Sequence, residues 1–198
     1  MKRLVLASAS PTRAQLLSAA GISFDVKPAS VDEDALKDSL LAEGVGAAAV
    51  ADALAELKAV RVSTRQHDAL VLGADQVLEF EDELISKCET MAGAAALLSR
   101  LRGKTHMLIT SAVLAQDGTP IWRHTSRIKL TMRAFSDAFL ADYLADEGEE
   151  ILGSVGCYRL EGRGLQLFSR IDGDYFAILG LPMLPLLTAL RYQGIIAK

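Results

Sequence analysis

The chain has 198 residues, with 21 Lys+Arg against 25 Asp+Glu for a net charge of −4, 51% hydrophobic and 23% charged residues. This is an ordinary globular composition, long enough for one large domain or two lobes sharing a core. It argues against non-specific binding to DNA or RNA, which needs a basic face, but not against a small polyanion, which a few local cations and a metal can hold.

In chain order, an apolar strand over 4–7 leads to Ser10, a good helix N-cap, and to Pro11 at the first helical position. That helix should run through Leu16 and Leu17 and end at Gly21. A second strand is expected over 22–27, then an acidic knot, Asp32-Glu33-Asp34. The Ala-rich segment 45–65 has helical periodicity through Val50, Leu54, Leu57 and Arg61. An apolar strand over 69–73 is expected to stop in a Gly73-Ala74-Asp75-Gln76 turn. Residues 77–87 read as a hairpin with an acidic tip at Glu81-Asp82-Glu83, and 91–102 as a helix closed by Gly103. Two long strands flank Asp117-Gly118, a strong hairpin signal. Ser136 can cap a helix through Ala145, residues 151–179 read as strand-like and Gly-rich, and 182–192 as a final helix. The mixture of βα units and hairpins predicts an α/β protein with a mixed central sheet flanked by helices. No repeat or linker divides the chain, so a single domain over 1–198 is expected.

Cys88 and Cys157 are too few for a disulfide framework and make no Cys-x-x-Cys pattern, which fits a reduced, cytoplasmic setting. No apolar stretch is long enough to span a membrane, and the start, Met1-Lys2-Arg3-Leu4-Val5-Leu6, has too short an apolar run for a signal peptide.

Two segments carry candidate chemistry. In Ser8-Ala9-Ser10-Pro11-Thr12-Arg13 a helix N-terminus, two hydroxyls and a guanidinium offer a phosphate cradle, or else a simple cap with a solvated arginine. Asp75 can bind a divalent cation or act as general base on water, or merely close a turn. Glu33 can share the cation, because hard cations prefer oxygen ligands. Lys58 and Lys87 are further phosphate cations. Leu160-Glu161-Gly162-Arg163-Gly164 can approach a ligand through its backbone, with Glu161 accepting hydrogen bonds from a base; its plainer reading is a bulge or turn. There is no P-loop motif, no Gly-x-Ser-x-Gly elbow and no zinc spacing among His67, His106 and His124.

Leu6-Ala7-Ser8-Ala9-Ser10-Pro11-Thr12-Arg13, Val31-Asp32-Glu33, Leu54-Ala55-Glu56-Leu57-Lys58-Ala59, Gly73-Ala74-Asp75-Gln76-Val77, Leu101-Arg102-Gly103-Lys104-Thr105-His106, Gly156-Cys157-Tyr158-Arg159-Leu160-Glu161-Gly162 and Gly180-Leu181-Pro182 follow one another in an order that resembles the Maf-like nucleotide pyrophosphatases. The resemblance spans nearly the whole chain. It implies hydrolysis of a nucleoside triphosphate to the monophosphate and pyrophosphate with a divalent cation, Mg2+ or Mn2+. It also implies two lobes around a cleft, as in inosine triphosphatases. Asp75 matches the proposed proton acceptor; Ser8, Arg13, Glu33, Lys58 and Lys87 match the polar substrate and metal positions. Thr12, Gln76 and Glu161 fall where the family varies with substrate. A branch with Arg, Thr and Gln there resembles enzymes acting on dTTP and UTP, and one with Trp, Gln and Glu resembles enzymes preferring 7-methyl-GTP. Gln76 and Glu161 match the second branch; Thr12 matches neither, and Cys88 stands where Pro is usual. A nucleotide substrate is the partner implied, with no nucleic acid and no membrane. A homodimer through the long 113–130 hairpin is open. The alternative is a non-catalytic nucleotide-binding regulator of cell division.

Overall fold

The computed structural model describes residues 3–197; Met1 and Lys2, which open the basic N-terminal run, lie outside the described residues, as does Lys198. Strand β1 (Arg3–Leu6) is followed by α1 (Pro11–Ala19), β2 (Phe24–Val26), α2 (Glu33–Ala42), α3 (Ala47–Ser63) and β3 (Ala69–Phe80). Then come β4 (Glu83–Ile85), α4 (Met91–Leu101), β5 (Thr105–Gln116), β6 (Thr119–Met132), α5 (Asp137–Glu147), β7 (Phe168–Asp172), α6 (Tyr175–Ile178) and α7 (Met183–Tyr192). The sheet is mixed, seven-stranded, in the order β2-β1-β3-β5-β6-β7, with β4 on β3. β1 pairs in parallel with both β2 and β3, whereas β3–β4 and β6–β7 are antiparallel. Among the described residues no helix is long and apolar enough to cross a membrane.

Contacts divide the chain into two compact units, 1–76 with 110–126 and 174–198, and 77–109 with 127–173. In the first unit the chain leaves β1 through α1 to reach β2, then returns past β1 through α2 and α3 to reach β3. Successive right-handed crossovers in opposite directions put their helices on opposite faces. Leu4, Leu6, Leu70 and Leu72 pack with Leu17 of α1 and Leu186 of α7, while Val5 and Val71 pack with Val62 of α3. The strand order therefore reverses at β1, and the carboxyl end of β1 beside β3 is the topological switch point where such sheets bind ligands.

Several expectations need correction. Asp75 does not sit in a turn: β3 runs unbroken through Gly73, Ala74, Asp75 and Gln76 to Phe80. The acidic knot is instead the start of a helix, with Asp32 as N-cap accepting the Ala35 N–H at 3.0 Å and Glu33 and Asp34 in the first turn of α2. Acidic side chains there are favoured by the helix dipole. Residues 151–179 are mostly not strand: 3-10 turns over Gly148–Gly153 and Arg163–Leu167 flank loops, β7 is five residues long, and α6 follows. The glycines in that stretch serve the chain's own packing. A Cβ on Gly164 would lie 2.4 Å from the Arg159 carbonyl, and one on Gly162 3.2 Å from Glu147 Oε1.

The hairpins formed as their turn chemistry dictates. Glu81-Asp82 and Asp117-Gly118 have positive φ at both positions, the requirement of a two-residue type I′ turn.

The second unit holds one titratable group with a consequence for stability. His106 is buried, its Nε2 is 2.9 Å from the Tyr158 hydroxyl, and Phe168 lies against both rings. Its Nδ1 is buried without a hydrogen-bond partner. Burial lowers its pKa from the ordinary 6.5 to about 4. The unfolded chain accordingly binds more protons between those values, so stability is full above about pH 6.5 and falls as the pH drops toward 4. The loss amounts to roughly 3 kcal/mol. Melting temperatures taken from about pH 7.5 to 4 should fall less steeply in His106→Gln than in the parent. Parallel slopes would remove His106 as the cause.

Candidate active site

β1 ends at Leu6, and the last bond of the parallel ladder is Ala7 N–H to Leu72 O at 2.8 Å. The next β3 carbonyl along the ladder, Ala74 O, is taken by Arg13 Nη1 at 2.9 Å. The guanidinium thus continues the ladder beyond the point where β1 stops. Arg13 reaches there from the first turn of α1, whose position is fixed by Ser10, which caps the Arg13 N–H, and by Pro11. Nη1 also donates to Ser8 Oγ at 3.0 Å, and Nε to Gly180 O at 3.0 Å. Gly180 has a φ of +104°, and a Cβ there would meet Arg13 Nε at 3.0 Å, so this glycine is what lets the backbone close on the guanidinium. Burial pulls the Arg13 pKa below the ordinary arginine value, opposed by the nearby Asp75 and Glu33 carboxylates.

On the other face of β3, the face covered by α3, Asp75 is 7% exposed. Lys58 Nζ lies 2.5 Å from Asp75 Oδ1 and 2.7 Å from Glu33 Oε2. Two of the three elements that meet here, β3 and α3, do so for a local reason. Gly73 brings β3 against α3 so closely that a Cβ would stand 2.2 Å from Ala55 O and 2.6 Å from Ala59 N. The small Ala55 and Ala59 flank Lys58 along the helix, and the close approach carries its ammonium to the strand.

The first unit therefore brings together Ser8, Arg13, Glu33, Lys58 and Asp75. Thr12 stands half-buried in the first turn of α1. Gln76, following Asp75 in the strand, points to the opposite face, as the pleat requires. Its Nε2 donates to Thr110 Oγ1 at 2.8 Å and to the carbonyls of Ala177 and Ile178 at 3.0 Å. Its donors are thereby engaged in holding α6 to the strand, which leaves Oε1 as an acceptor. Lys87, exposed after β4, and Glu161, 3.8 Å from Arg159 Nε, belong to the second unit.

The sequence named Gly73 only as the start of a turn and Gly180 only within a motif, and did not point to Thr110. The signal for Gly73 was present: a glycine inside an apolar strand marks a close backbone approach, and Ala55 and Ala59 are one helical turn apart.

Asp75 and Glu33, two carboxylates near the Arg13 guanidinium, have the chemistry of ligands for a small hard cation. Such an ion needs only one or two protein carboxylates when water and substrate phosphates complete its shell. Among the described residues no group of three or more His, Cys, Asp or Glu could hold a metal by itself. The residues present fit a cation that arrives with its phosphates rather than one caged by protein.

The family model described as Maf-like protein matches residues 3–193. A nucleoside triphosphate pyrophosphatase of Granulibacter bethesdensis is 53% identical over 96% of this chain and 96% of its own length. One from Caulobacter vibrioides is 51% identical over 96% of each chain. A 7-methyl-GTP pyrophosphatase of Rhizobium meliloti is 49% identical over 98% of this chain and 97% of its own. A solved structure from Mycobacterium abscessus, a nucleoside-triphosphatase or dITP/XTP pyrophosphatase, aligns with 98% of this chain at 12% identity and a TM-score of 0.43, too distant to carry an argument.

Proposed function

The chain belongs to the Maf family and is a nucleoside triphosphate pyrophosphatase; we propose that it cleaves the α–β anhydride of its substrate by direct water attack directed by Asp75, with 7-methyl-GTP as the preferred nucleotide. The observation that carries the mechanism is the buried Asp75 linked through Lys58 to Glu33, near Arg13 at the switch point.

A triphosphate brings about four negative charges, which must be screened before water reaches phosphorus. Arg13 and Lys58 do this from two sides. Arg13 is preorganised, because Ala74 O, Gly180 O and Ser8 Oγ fix its plane. Ser8 Oγ accepts from both Arg13 and the Ser10 N–H, so its hydroxyl orients the cation as much as it can touch a phosphate. Lys87 is a further candidate cation by the family resemblance alone. A divalent cation, Mg2+ or Mn2+, held by Asp75 and Glu33 would supply further neutralisation of the phosphate oxygens. Asp75 orients the water and takes its proton. The water oxygen then bonds to the α-phosphorus, the bond from that phosphorus to the bridging oxygen breaks, and pyrophosphate leaves. No covalent enzyme intermediate is required.

Base selection is carried by Gln76 in the first unit, with Glu161 named by the family resemblance alone. With its nitrogen engaged, Gln76 offers only an acceptor, and Glu161 offers another. Acceptors suit a base edge presenting N–H donors, as guanine and 7-methylguanine do. The name of the Rhizobium meliloti relative supports the same choice. Thr12 supplies neither an extra cation nor a stacking ring.

The test is pyrophosphate release from purified protein with Mg2+ and a panel that includes 7-methyl-GTP, GTP, dTTP and UTP. Monophosphate and pyrophosphate in equal amounts, with the highest kcat/KM for 7-methyl-GTP, are expected. Orthophosphate as the product would overturn the cleavage position, and a preference for dTTP or UTP would overturn the base assignment.

A further inference from the structure

Lys58 stands where a positive charge between Asp75 and Glu33 is needed and no nucleotide supplies one. Its ammonium is 2.5 Å from one carboxylate and 2.7 Å from the other, and its side chain is only 9% exposed. Two of its three N–H donors are thus spent on the two groups that would hold a divalent cation. We propose that Lys58 is the resident counter-ion of this carboxylate pair, and that it is exchanged for the divalent cation only when the nucleotide arrives to take the ammonium. This rests on the reading of the site given above.

Charge counting carries the inference. Arg13 and Lys58 balance Asp75 and Glu33, so these four side chains together are neutral. A divalent cation entering alone would sit beside two fixed positive charges and would break two short ion pairs, with nothing to receive the displaced ammonium. A triphosphate entering alone would place its charge beside two carboxylates. The metal–triphosphate complex solves both problems at once: its cation takes over the carboxylates, and its phosphates take over Lys58, whose flexible four-carbon stem allows the move. Metal and nucleotide binding are then strongly and reciprocally coupled.

The experiment uses Mn2+ alone, followed by electron paramagnetic resonance of the free ion, with no nucleotide present. The parent protein should bind Mn2+ weakly, at about millimolar concentration or above, and Lys58→Met should bind it at least about tenfold more tightly, because a repelling charge has been removed from the two ligands. Lys58→Gln serves as the second variant, since it keeps a hydrogen-bond donor toward Asp75 if the apolar replacement fails to fold. Micromolar Mn2+ binding by the parent overturns the proposal whatever the variants do, as does equal or weaker binding by a variant whose circular dichroism matches the parent. Pyrophosphate release is read separately. An enzyme that turns over nucleotides with Mg2+ but fails the Mn2+ titration loses only the exchange, and a protein that passes the titration without turnover loses only the proposed activity.

Discussion

Asp75→Asn should lower kcat by about 10²–10⁴-fold, the usual contribution of a positioned general base. Measured without a divalent cation, of which Asp75 is a proposed ligand, the affinity for a non-hydrolysable triphosphate analogue should stay within a few-fold of the parent. The asparagine has the same shape, and its Oδ1 can still accept from Lys58, so the 2.5 Å contact has a neutral replacement and the buried position stays filled. What is lost is the group that accepts the proton of water. Arg13, Lys58 and Ser8 remain to bind phosphates, and one negative charge fewer beside the triphosphate does not weaken that binding. Kinetics and equilibrium binding must therefore be measured apart, since a change confined to KM would mean that Asp75 serves only ground-state binding. Near-parental pyrophosphate release from the folded variant would falsify the role assigned to Asp75.

Gly73→Ala should be the most damaging single methyl group in the first unit. The added Cβ would stand 2.2 Å from Ala55 O, 2.6 Å from Ala59 N and 2.9 Å from Ala59 Cβ, where ordinary contact is 3.4–4 Å. The first two are backbone atoms of α3 and have no rotamer to escape into, so the helix must retreat from β3 by roughly an ångström or more. Overpacking of this kind costs about 1–3 kcal/mol. Lys58 lies on the same stretch of helix and moves with it, so the Lys58–Asp75 contact opens as well. A fall in the denaturant midpoint together with a loss of kcat is expected. Ala59→Gly in the same chain removes only the most distant of the three clashes and should restore little of either. A Gly73→Ala protein with parental midpoint and turnover would show that α3 has no need of this close approach.

How much of this was legible in the sequence depended on how local each cause is. The α1 start at Ser10-Pro11 was readable because cap and fixed φ act within one turn. The tip at Asp117-Gly118 was readable because its turn needs positive φ at adjacent residues, and the one at Glu81-Asp82 from its acidic residues between apolar runs. The identity of Asp75, Arg13, Glu33 and Lys58 as candidates was readable from residue type and order. Their arrangement was not. Lys58 and Asp75 are 17 residues apart and Arg13 and Gly180 are 167 apart, and no periodicity relates either pair.

The errors share one physical origin. Gly73-Ala74-Asp75-Gln76 resembled a turn because glycine and aspartate punctuate strands, yet β3 continues: β5 neighbours it on one edge, Arg13 takes the Ala74 carbonyl where β1 stops, and β4 pairs with it from Leu78. Asp32-Glu33-Asp34 resembled a solvated loop because its three acids are exposed, which is equally true of the first turn of an exposed helix. Asp32 nevertheless caps α2, and Lys58, brought in from α3, gives Glu33 a partner. Gln76 was expected at a base-reading position from the resemblance alone; what the sequence did not show is that strand pleating sends its side chain to the face opposite Asp75 and sets its amide nitrogen on α6.

The sequence by itself determined the sheet-and-helix class, the caps, the hairpin turns and the chemical inventory of acids and cations, all properties of residues and their near neighbours. Only the tertiary structure decided that β1 is the switch point, that Gly73 admits α3 and that Lys58 closes Glu33 to Asp75. Those follow from the direction of crossovers and from backbone-to-backbone distance, which elements acquire only when they pack.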